Sequence, residues 1–125
     1  MQVYKIKGFA RFAHRQRIDD AALCGAVSRA ERGLIDAALG GGVIKQRVPR
    51  PGQGRSGGFR TIVFYRSDAR AVFVDGFAKK DQDNIDDNDL VRFRELAAEF
   101  LGYDAAQVNK LVKAGAWIEV DCDGR

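Results

Sequence analysis

Hydrophobic and polar positions recur with two different periods along this chain, and the change of period separates helices from strands. The opening segment VYKIK alternates as a short strand does, and apolar residues at positions 9, 12 and 13 then follow helical spacing. Asp19 or Asp20 can cap a second helix, which we expect to continue until the glycines at 40–42 stop it. The apolar stripe of this second helix consists of Leu23, Val27, Ala30 and Leu34.

From Val43 onward the period becomes two. The segments VIKQRV, RTIVFYR and AVFVDGF each read as a strand, and turn-forming residues at 67–69 separate the last two. This pattern predicts an antiparallel meander of three strands. On its first strand Lys45 and Arg47 share one face, because alternate residues of a strand point the same way. The two cations are therefore presented together.

Helical spacing returns in the last third of the chain. A helix is predicted from about Asp87 to Leu101, with Gly102 ending it, and a shorter one from Asp104 to Gly115. The segment WIEV then reads as a short added strand. We expect one domain over residues 1–125, in which residues 103–125 form a C-terminal helix and strand extension.

Composition favours an ordinary globular protein, with 46% hydrophobic and 30% charged residues. Neither a long apolar run nor a signal-peptide pattern is present, so a cytoplasmic protein without membrane contact is expected. The net charge is only +4, but its distribution is uneven. Residues 44–60 hold five cations and no carboxylate, which favours a polyanionic partner, most simply nucleic acid. These cations are Lys45, Arg47, Arg50, Arg55 and Arg60.

The positions of the histidine and the two cysteines do not indicate a catalytic or metal-binding site. Cys24 lies among apolar neighbours and far from Cys122, which is typical of a buried free thiol, so neither a disulfide nor a zinc site is predicted. The single histidine, His14, stands beside Arg15 and is read as a solvated helix residue. A mechanism based on histidine is not expected.

The glycine-rich segment between the first two strands of the meander matches a GxGxxG spacing at residues 52–57. A dinucleotide-binding turn requires a helix directly afterwards, whereas strand composition follows here, and no GK[ST] of a phosphate-binding loop is present. A solvated connection is one interpretation of this segment. The other is a phosphate-binding loop, in which backbone amides at Gly54 and Gly57 and the side chains of Arg50 and Arg55 approach an RNA backbone.

Two long motifs carry a resemblance to a known family. RPGQGRSGGFRT at residues 50–61 and GFAKKDQDNI at residues 76–85 are similar to the RPGQGKSGGYRT and GFAKNERDNI-type segments of HigB-like toxins. These are a branch of the RelE-like toxins of type II toxin–antitoxin systems, within the RelE/ParE superfamily. The start KGFARFA and the passage GLIDAALGGGVIKQR extend the likeness over most of the chain. Both motifs occur in the family's order and spacing, which makes the resemblance specific.

The resemblance implies an α+β fold, with a small antiparallel sheet and helices packed on one side. It further implies a ribosome-dependent endoribonuclease of messenger RNA, without cofactor or metal, that a cognate antitoxin neutralises, often one with a helix-turn-helix domain. The family's basic site residues correspond to Lys45, Arg47, Arg60, Lys79 and Lys80. The tyrosine that several of these toxins carry slightly later has no counterpart, since Asn, Ile and Asp occupy 84–86.

Cleavage of this kind needs an activated 2′-hydroxyl, stabilisation of the extra negative charge, and a proton for the leaving 5′-oxygen. Arg60 suits the second task, because a guanidinium stays charged and can bind phosphate oxygens in a bidentate manner. A lysine can exchange its proton where an arginine cannot, so Lys45, Lys79 or Lys80 is the expected acid or base. The residues alone do not choose among the three.

Two other functions fit the same scaffold, because a fold does not determine its chemistry. The first is a ParE-like toxin that binds a protein or nucleic acid without cutting it. The second is a degenerate toxin retained as a partner in operator DNA binding, for which the missing tyrosine is the best argument. The cluster of basic residues favours the nuclease.

Overall fold

The computed structural model describes residues 1–50, 58–78 and 85–122. In these ranges the chain forms four helices and a six-stranded sheet. The helices are α1 (Lys7–Gln16), α2 (Asp20–Glu31), α3 (Asp87–Gly102) and α4 (Ala105–Lys113). The strands are β1 (Gln2–Ile6), β2 (Ala37–Gly40), β3 (Val43–Val48), β4 (Phe59–Arg66), β5 (Arg70–Ala78) and β6 (Trp117–Glu119). None of these helices is long and apolar enough to cross a membrane.

The sheet has the strand order β2-β3-β4-β5-β1-β6. Strands β3, β4 and β5 form the predicted antiparallel meander, and a tight turn at 67–69 connects the last two. The single parallel pair joins β1 to β5, with Val3 opposite Ala71, and β6 then pairs with β1 in the antiparallel sense. The prediction of an α+β fold with a mainly antiparallel sheet is therefore confirmed.

Helices cover both faces of the sheet, so the expectation that they pack on one side is wrong. On one face α1 and α2 bury Phe9 and Leu23 against strand residues such as Phe73. On the other face α3 and α4 bury Leu101 and Val108 against residues such as Phe64. The central strands are apolar on both faces, because neighbouring residues of β4 and β5 point to opposite sides and both are buried.

Helix α2 ends earlier than the apolar stripe predicted. The backbone N–H of Gly33 bonds to the carbonyl of Ala30, and that of Leu34 to the carbonyl of Arg29, while Gly33 adopts a φ of +83°. This is a Schellman ending, which requires a left-handed residue and stops the helix. Leu34 is accordingly 55% exposed, and the following residues form β2, a strand that the sequence pattern did not predict.

The C-terminal end of α3 is bound by two arginines of the β4–β5 hairpin. Arg66 donates to the carbonyl of Leu101 at 2.9 Å, and Arg70 donates to those of Phe100 and Tyr103 at 2.8 and 3.0 Å. Cations at this end of a helix satisfy free carbonyls and interact favourably with the helix dipole. These contacts fix the C-terminal end of α3 beside the β4–β5 turn.

Cys24 and Cys122 form a disulfide, so the prediction of free thiols is wrong. Their Cα atoms lie 5.5 Å apart although 98 positions separate them in sequence. Pairing of β6 with β1 carries the chain end back to α2, where Asp20 accepts hydrogen bonds from Lys5 and from the backbone of Asp121, both at 3.0 Å. Sequence spacing could not reveal this proximity, which depends on the sheet order.

Candidate functional site

Two rows of side chains cross the sheet on the face that α3 partly covers. Arg47 of β3 lies opposite Arg60 of β4, which lies opposite Phe77 of β5. In the next row Lys45, Ile62 and Asp75 are opposite one another in the same order. Cross-strand partners share a face, with Cβ atoms about 4.5–5.5 Å apart. We call the side of the sheet that carries Lys45, Arg47, Arg60, Asp75 and the buried Phe77 the basic face.

Helix α3 begins near Asp75 of the basic face and ends at the β4–β5 turn. The C-terminal end of this helix is bound by Arg66 and Arg70 at the β4–β5 turn, while Asp89 in its first turn lies near enough to Asp75 to influence its ionisation. The helix therefore runs from the row of Asp75 toward the hairpin turn. Arg47 and Arg60 both remain partly exposed.

The guanidinium groups on this face have donors without partners. Among the described residues, Arg47 Nε and Arg60 Nη1 are buried side-chain atoms that form no hydrogen bond. Arg70 Nε is a further such atom, but the same guanidinium already binds two carbonyls. Leaving a buried donor unpaired costs about 1–3 kcal/mol, and more when the group is charged. An anion bound between Arg47 and Arg60 would remove that cost.

The backbone that carries Arg47 is held firmly at the edge of β3. Its N–H donates to the carboxylate of Asp36 at 2.5 Å, and its carbonyl accepts a hydrogen bond from the guanidinium of Arg29. These groups replace the strand partner that Arg47 lacks, because β2 begins at Ala37, opposite Lys45. Together with Pro49 they line a cleft of about 300 Å³ that opens beside Arg47.

Gln46 fixes β3 from the opposite face, where it is almost fully buried. Its side-chain amide donates to the carbonyls of Ala26 and Leu34, and its oxygen accepts the N–H of Asp36 at 2.7 Å. A buried side chain with every group paired orients its strand strongly. Alternation then places Lys45 and Arg47 on the basic face, as the sequence predicted.

Gly58 permits the close approach of the chain to Arg47 just before β4 begins. A Cβ added there would lie 2.8 Å from the carbonyl oxygen of Val48 and 3.4 Å from Cγ of Arg47. The first of these distances is too short for any side chain. This glycine is therefore a packing requirement of the site.

Asp75 is the ionisable residue of the basic face that sequence reasoning missed. A bulge opposite Ile62 and Val63 shifts the register of β5. A Cβ at Gly76 would clash with Phe12 of α1, so Gly76 faces α1 and its neighbour Asp75 lies on the face that α3 partly covers. Asp75 is exposed by its relative surface area, yet the surrounding protein desolvates its carboxyl and thereby raises its pKa. The hydrogen bond from the N–H of Gly76 lowers this pKa, and the negative charge of Asp89 raises it. A lone carboxylate within the apolar segment AVFVDGF was the available signal.

The other predicted site residues are not all part of this face. Arg50 lies on the opposite face, with its guanidinium carbon 4.7 Å from the centre of the Phe59 ring and one nitrogen 3.4 Å from the side-chain oxygen of Gln16. The structure therefore separates Arg50 from Arg47 and Arg60. Five further predicted residues lie outside the described ranges: Gly54, Arg55, Gly57, Lys79 and Lys80.

Other candidate chemistry lies elsewhere on the molecule. All three tyrosines are described, and each is engaged away from the basic face: Tyr4 stacks with Trp117, while Tyr65 and Tyr103 donate to Glu31 and Glu99. His14 is exposed on α1. In the described ranges no group of three or more histidine, cysteine or acidic residues is placed to hold a metal ion.

Comparison with known proteins agrees with this architecture. The model of the family described as RelE toxin of the RelE/RelB toxin–antitoxin system matches residues 1–120. No curated protein matches the chain. The match includes every strand and helix described above, and with them the whole basic face.

Proposed function

The chain belongs to the RelE toxin family of the RelE/RelB toxin–antitoxin system, and from this membership we propose that it is a ribosome-dependent endoribonuclease that cuts messenger RNA. The observation that carries the proposal is the pair Arg47 and Arg60, which lie opposite each other with unpaired guanidinium nitrogens among the described residues. A phosphate group of RNA supplies the oxygens that such donors require.

Arg47 and Arg60 stabilise the charge that develops at the phosphorus. When the 2′-oxygen attacks its own 3′-phosphate, the transition state carries more negative charge on the non-bridging oxygens than the substrate does. Two guanidinium groups at opposite strand positions match that charge. Removal of one such donor in other enzymes costs about 10²–10³ in rate.

Asp75 and Lys45 are the proton-transfer groups of the proposal. They stand at the two ends of one row, with Ile62 between them, and Asp75 is a diagonal neighbour of Arg60. Asp75 takes the proton of the 2′-hydroxyl as the new O–P bond forms, and Lys45 gives a proton to the 5′-oxygen as its bond to phosphorus breaks. The products are a 2′,3′-cyclic phosphate and a free 5′-hydroxyl. A raised pKa makes a carboxylate the stronger base.

The remaining predicted residues extend the contact with RNA. Lys79 and Lys80 follow β5 directly in sequence, and we propose that they contribute to catalysis. Gly54, Arg55 and Gly57 belong to the connection between β3 and β4 in sequence. We assign these residues and Arg50 to contacts with the phosphate backbone of messenger or ribosomal RNA. Electrostatic contacts of this kind position nucleic acid without reading its sequence.

Family membership implies a RelB-type antitoxin as the protein partner. We propose that this antitoxin carries a DNA-binding domain of the helix-turn-helix type and that the toxin reaches operator DNA only through the complex. The ribosome and its bound messenger RNA are then the targets of the free toxin.

Primer extension on a defined message in a reconstituted bacterial translation system tests the proposal. Wild-type protein is compared with and without ribosomes at the same message concentration. Cuts within codons that require ribosomes support the proposed reaction. Cuts without ribosomes would contradict ribosome dependence, and no cuts under either condition would favour the ParE-like binding toxin.

A further inference from the structure

A groove runs along α1 beside the edge strand β6. Its volume is about 360 Å³. It combines basic side chains with an apolar floor, and its lining consists of Lys7, Ala10, Arg11, His14, Arg15 and Ile118. We call it the α1/β6 groove.

The sequence of α1 explains why one side of the helix is left for this groove. Phe9 and Ala13, four residues apart, are buried against the sheet. Lys7, Arg11 and Arg15 repeat at the same interval on another side of the helix and are exposed. The N–H of Lys7 donates to the carbonyl of Ala116 at 3.0 Å, which fixes the start of the helix beside β6.

The floor is apolar because β6 ends the sheet. Ile118 lies opposite Lys5 of β1, and its neighbour Trp117 is buried on the other face of the sheet. Ile118 therefore points to the side of α1, where it remains 37% exposed. Beside it Ala10 is half-buried.

The basic residues of the groove have no acidic partners in the described part of the chain. The salt bridge found there joins Lys5 to Asp20, and neither residue lines the groove. An apolar floor with a cationic rim is complementary to a peptide segment that carries both apolar side chains and carboxylates. Nucleic acid would use the rim but would leave the floor exposed.

The groove and the basic face lie at opposite edges of the molecule. Strands β3 and β6 are separated by β4, β5 and β1, and α1 packs on the face opposite to α3. We propose that the α1/β6 groove is a docking site for an acidic, apolar-bearing segment of the RelB-type antitoxin. The proposal rests on the toxin function implied by the family, and it gives the antitoxin an anchor away from Arg47 and Arg60.

Charge reversal in the groove tests this docking site. The probe is the antitoxin encoded beside this chain, labelled with fluorescein and titrated with the disulfide-bonded toxin by anisotropy. Arg11→Glu with Arg15→Glu is compared with Lys110→Glu and Lys113→Glu on the exposed part of α4, which is the matched control. We expect the groove variant to bind at least about tenfold more weakly, while the control stays within about threefold of wild type.

Ile118→Asp tests the apolar floor separately, and it should weaken antitoxin binding by at least about tenfold. Hydrogen exchange on the wild-type complex should show added amide protection in α1 and β6, which needs no variant and is independent of their folding. Both readouts are made without ribosomes, so they do not depend on whether the toxin cuts RNA.

Three results would overturn the proposal. One is equal antitoxin affinity of the groove and control variants. A second is absence of added protection in α1 and β6. The third is a groove variant that binds antitoxin normally but cuts ribosome-bound message more slowly, which would assign the rim to nucleic acid.

Discussion

Arg47 and Arg60 occupy directly opposite positions on neighbouring antiparallel strands, so two like charges share one face of the sheet. Like charges directly opposite are destabilising, by about 0.2–1 kcal/mol in typical pairs. Among the described residues neither guanidinium has a carboxylate to offset this cost. Such a pair is typical of a site that is completed by an anionic ligand, and stability given up at functional sites is common.

Substitution of Arg60 should therefore leave the fold at least as stable as before. We expect Arg60→Gln to leave the free energy of unfolding unchanged or to raise it by up to about 1 kcal/mol, measured by urea denaturation. Arg66→Gln is the control, because it loses the hydrogen bond to the carbonyl of Leu101 and should lower stability by about 1 kcal/mol. A larger loss for Arg60→Gln than for the control would make Arg60 a structural residue.

The ionisation of Asp75 can be measured directly. In carbon-13 NMR titrations of the free protein, the carboxyl of Asp75 should titrate above the ordinary pKa of 3.8. Asp89→Asn should bring this pKa down only in part, because burial is the larger cause and the charge of Asp89 the smaller. A normal pKa in the wild type, or complete correction by Asp89→Asn, would contradict this account.

Asp75→Asn should separate activity from stability. This variant lacks the proposed general base, so it should cleave message on programmed ribosomes about 10²–10⁴-fold more slowly than wild type. The raised pKa of Asp75 means that folding disfavours the ionised carboxyl. The ionised carboxyl therefore lowers stability at neutral pH, and this effect disappears as pH falls through the folded pKa. Asp75→Asn should thus unfold no more easily than wild type at pH 7. If Asp75→Asn is less stable than wild type at pH 7, Asp75 has a structural role.

Glu31 should make the protein sensitive to acid. The hydrogen bond from the hydroxyl of Tyr65 is the largest cause and lowers the pKa of this carboxyl. Burial is the second cause and opposes it, while hydrogen bonds from Asp68 and Ser67 lower the pKa further. Its stabilising effect is present above the ordinary value of 4.5 and is lost as pH falls through the lower folded pKa.

Urea denaturation across that pH window checks the role of Glu31. Glu31→Gln should be less stable than wild type at pH 7, and the difference should shrink below about pH 4.5. Glu95→Gln, on the exposed side of α3, is the matched control and should follow wild type. An effect of Glu31→Gln that is constant with pH would point to lost packing rather than to the carboxylate charge.

The disulfide should contribute strongly to stability, because it closes a loop of 98 positions. Loss of a bond of this kind typically costs about 2–4 kcal/mol. A reductant should lower the urea midpoint of wild type, whereas Cys24→Ser with Cys122→Ser should already have the lower midpoint and should not respond. Equal midpoints for oxidised and reduced wild type would contradict the prediction.

Local pattern predicted most of the individual elements. Alternation located β3, β4 and β5, and acidic caps with terminal glycines located α3 and α4. The second helix was overextended, since Leu34 continues the apolar stripe after Gly33 has already ended the helix. The strand β2 was missed because AALG lacks the β-branched and aromatic residues on which strand prediction depends.

Features that depend on the arrangement of distant segments could not be predicted. The shared face of Lys45 and Arg47 follows from alternation within one strand, but the position of Arg60 opposite Arg47 depends on the register of two strands. Asp75 reaches the same face through a bulge, and the effect of Asp89 on its pKa depends on the position of α3. The two-sided packing of helices likewise depends on how the chain crosses the sheet.

The single-turnover rate of message cleavage on programmed ribosomes, measured for wild type, Arg60→Ala and Arg92→Ala, tests the central claim most directly. Arg92 is an exposed arginine of α3 outside the basic face and serves as the matched control. We predict that Arg60→Ala lowers the rate by at least about 10²-fold while Arg92→Ala stays close to wild type. Equal rates for Arg60→Ala and wild type, with both proteins folded, would remove Arg60 from the proposed catalytic site and contradict the central claim.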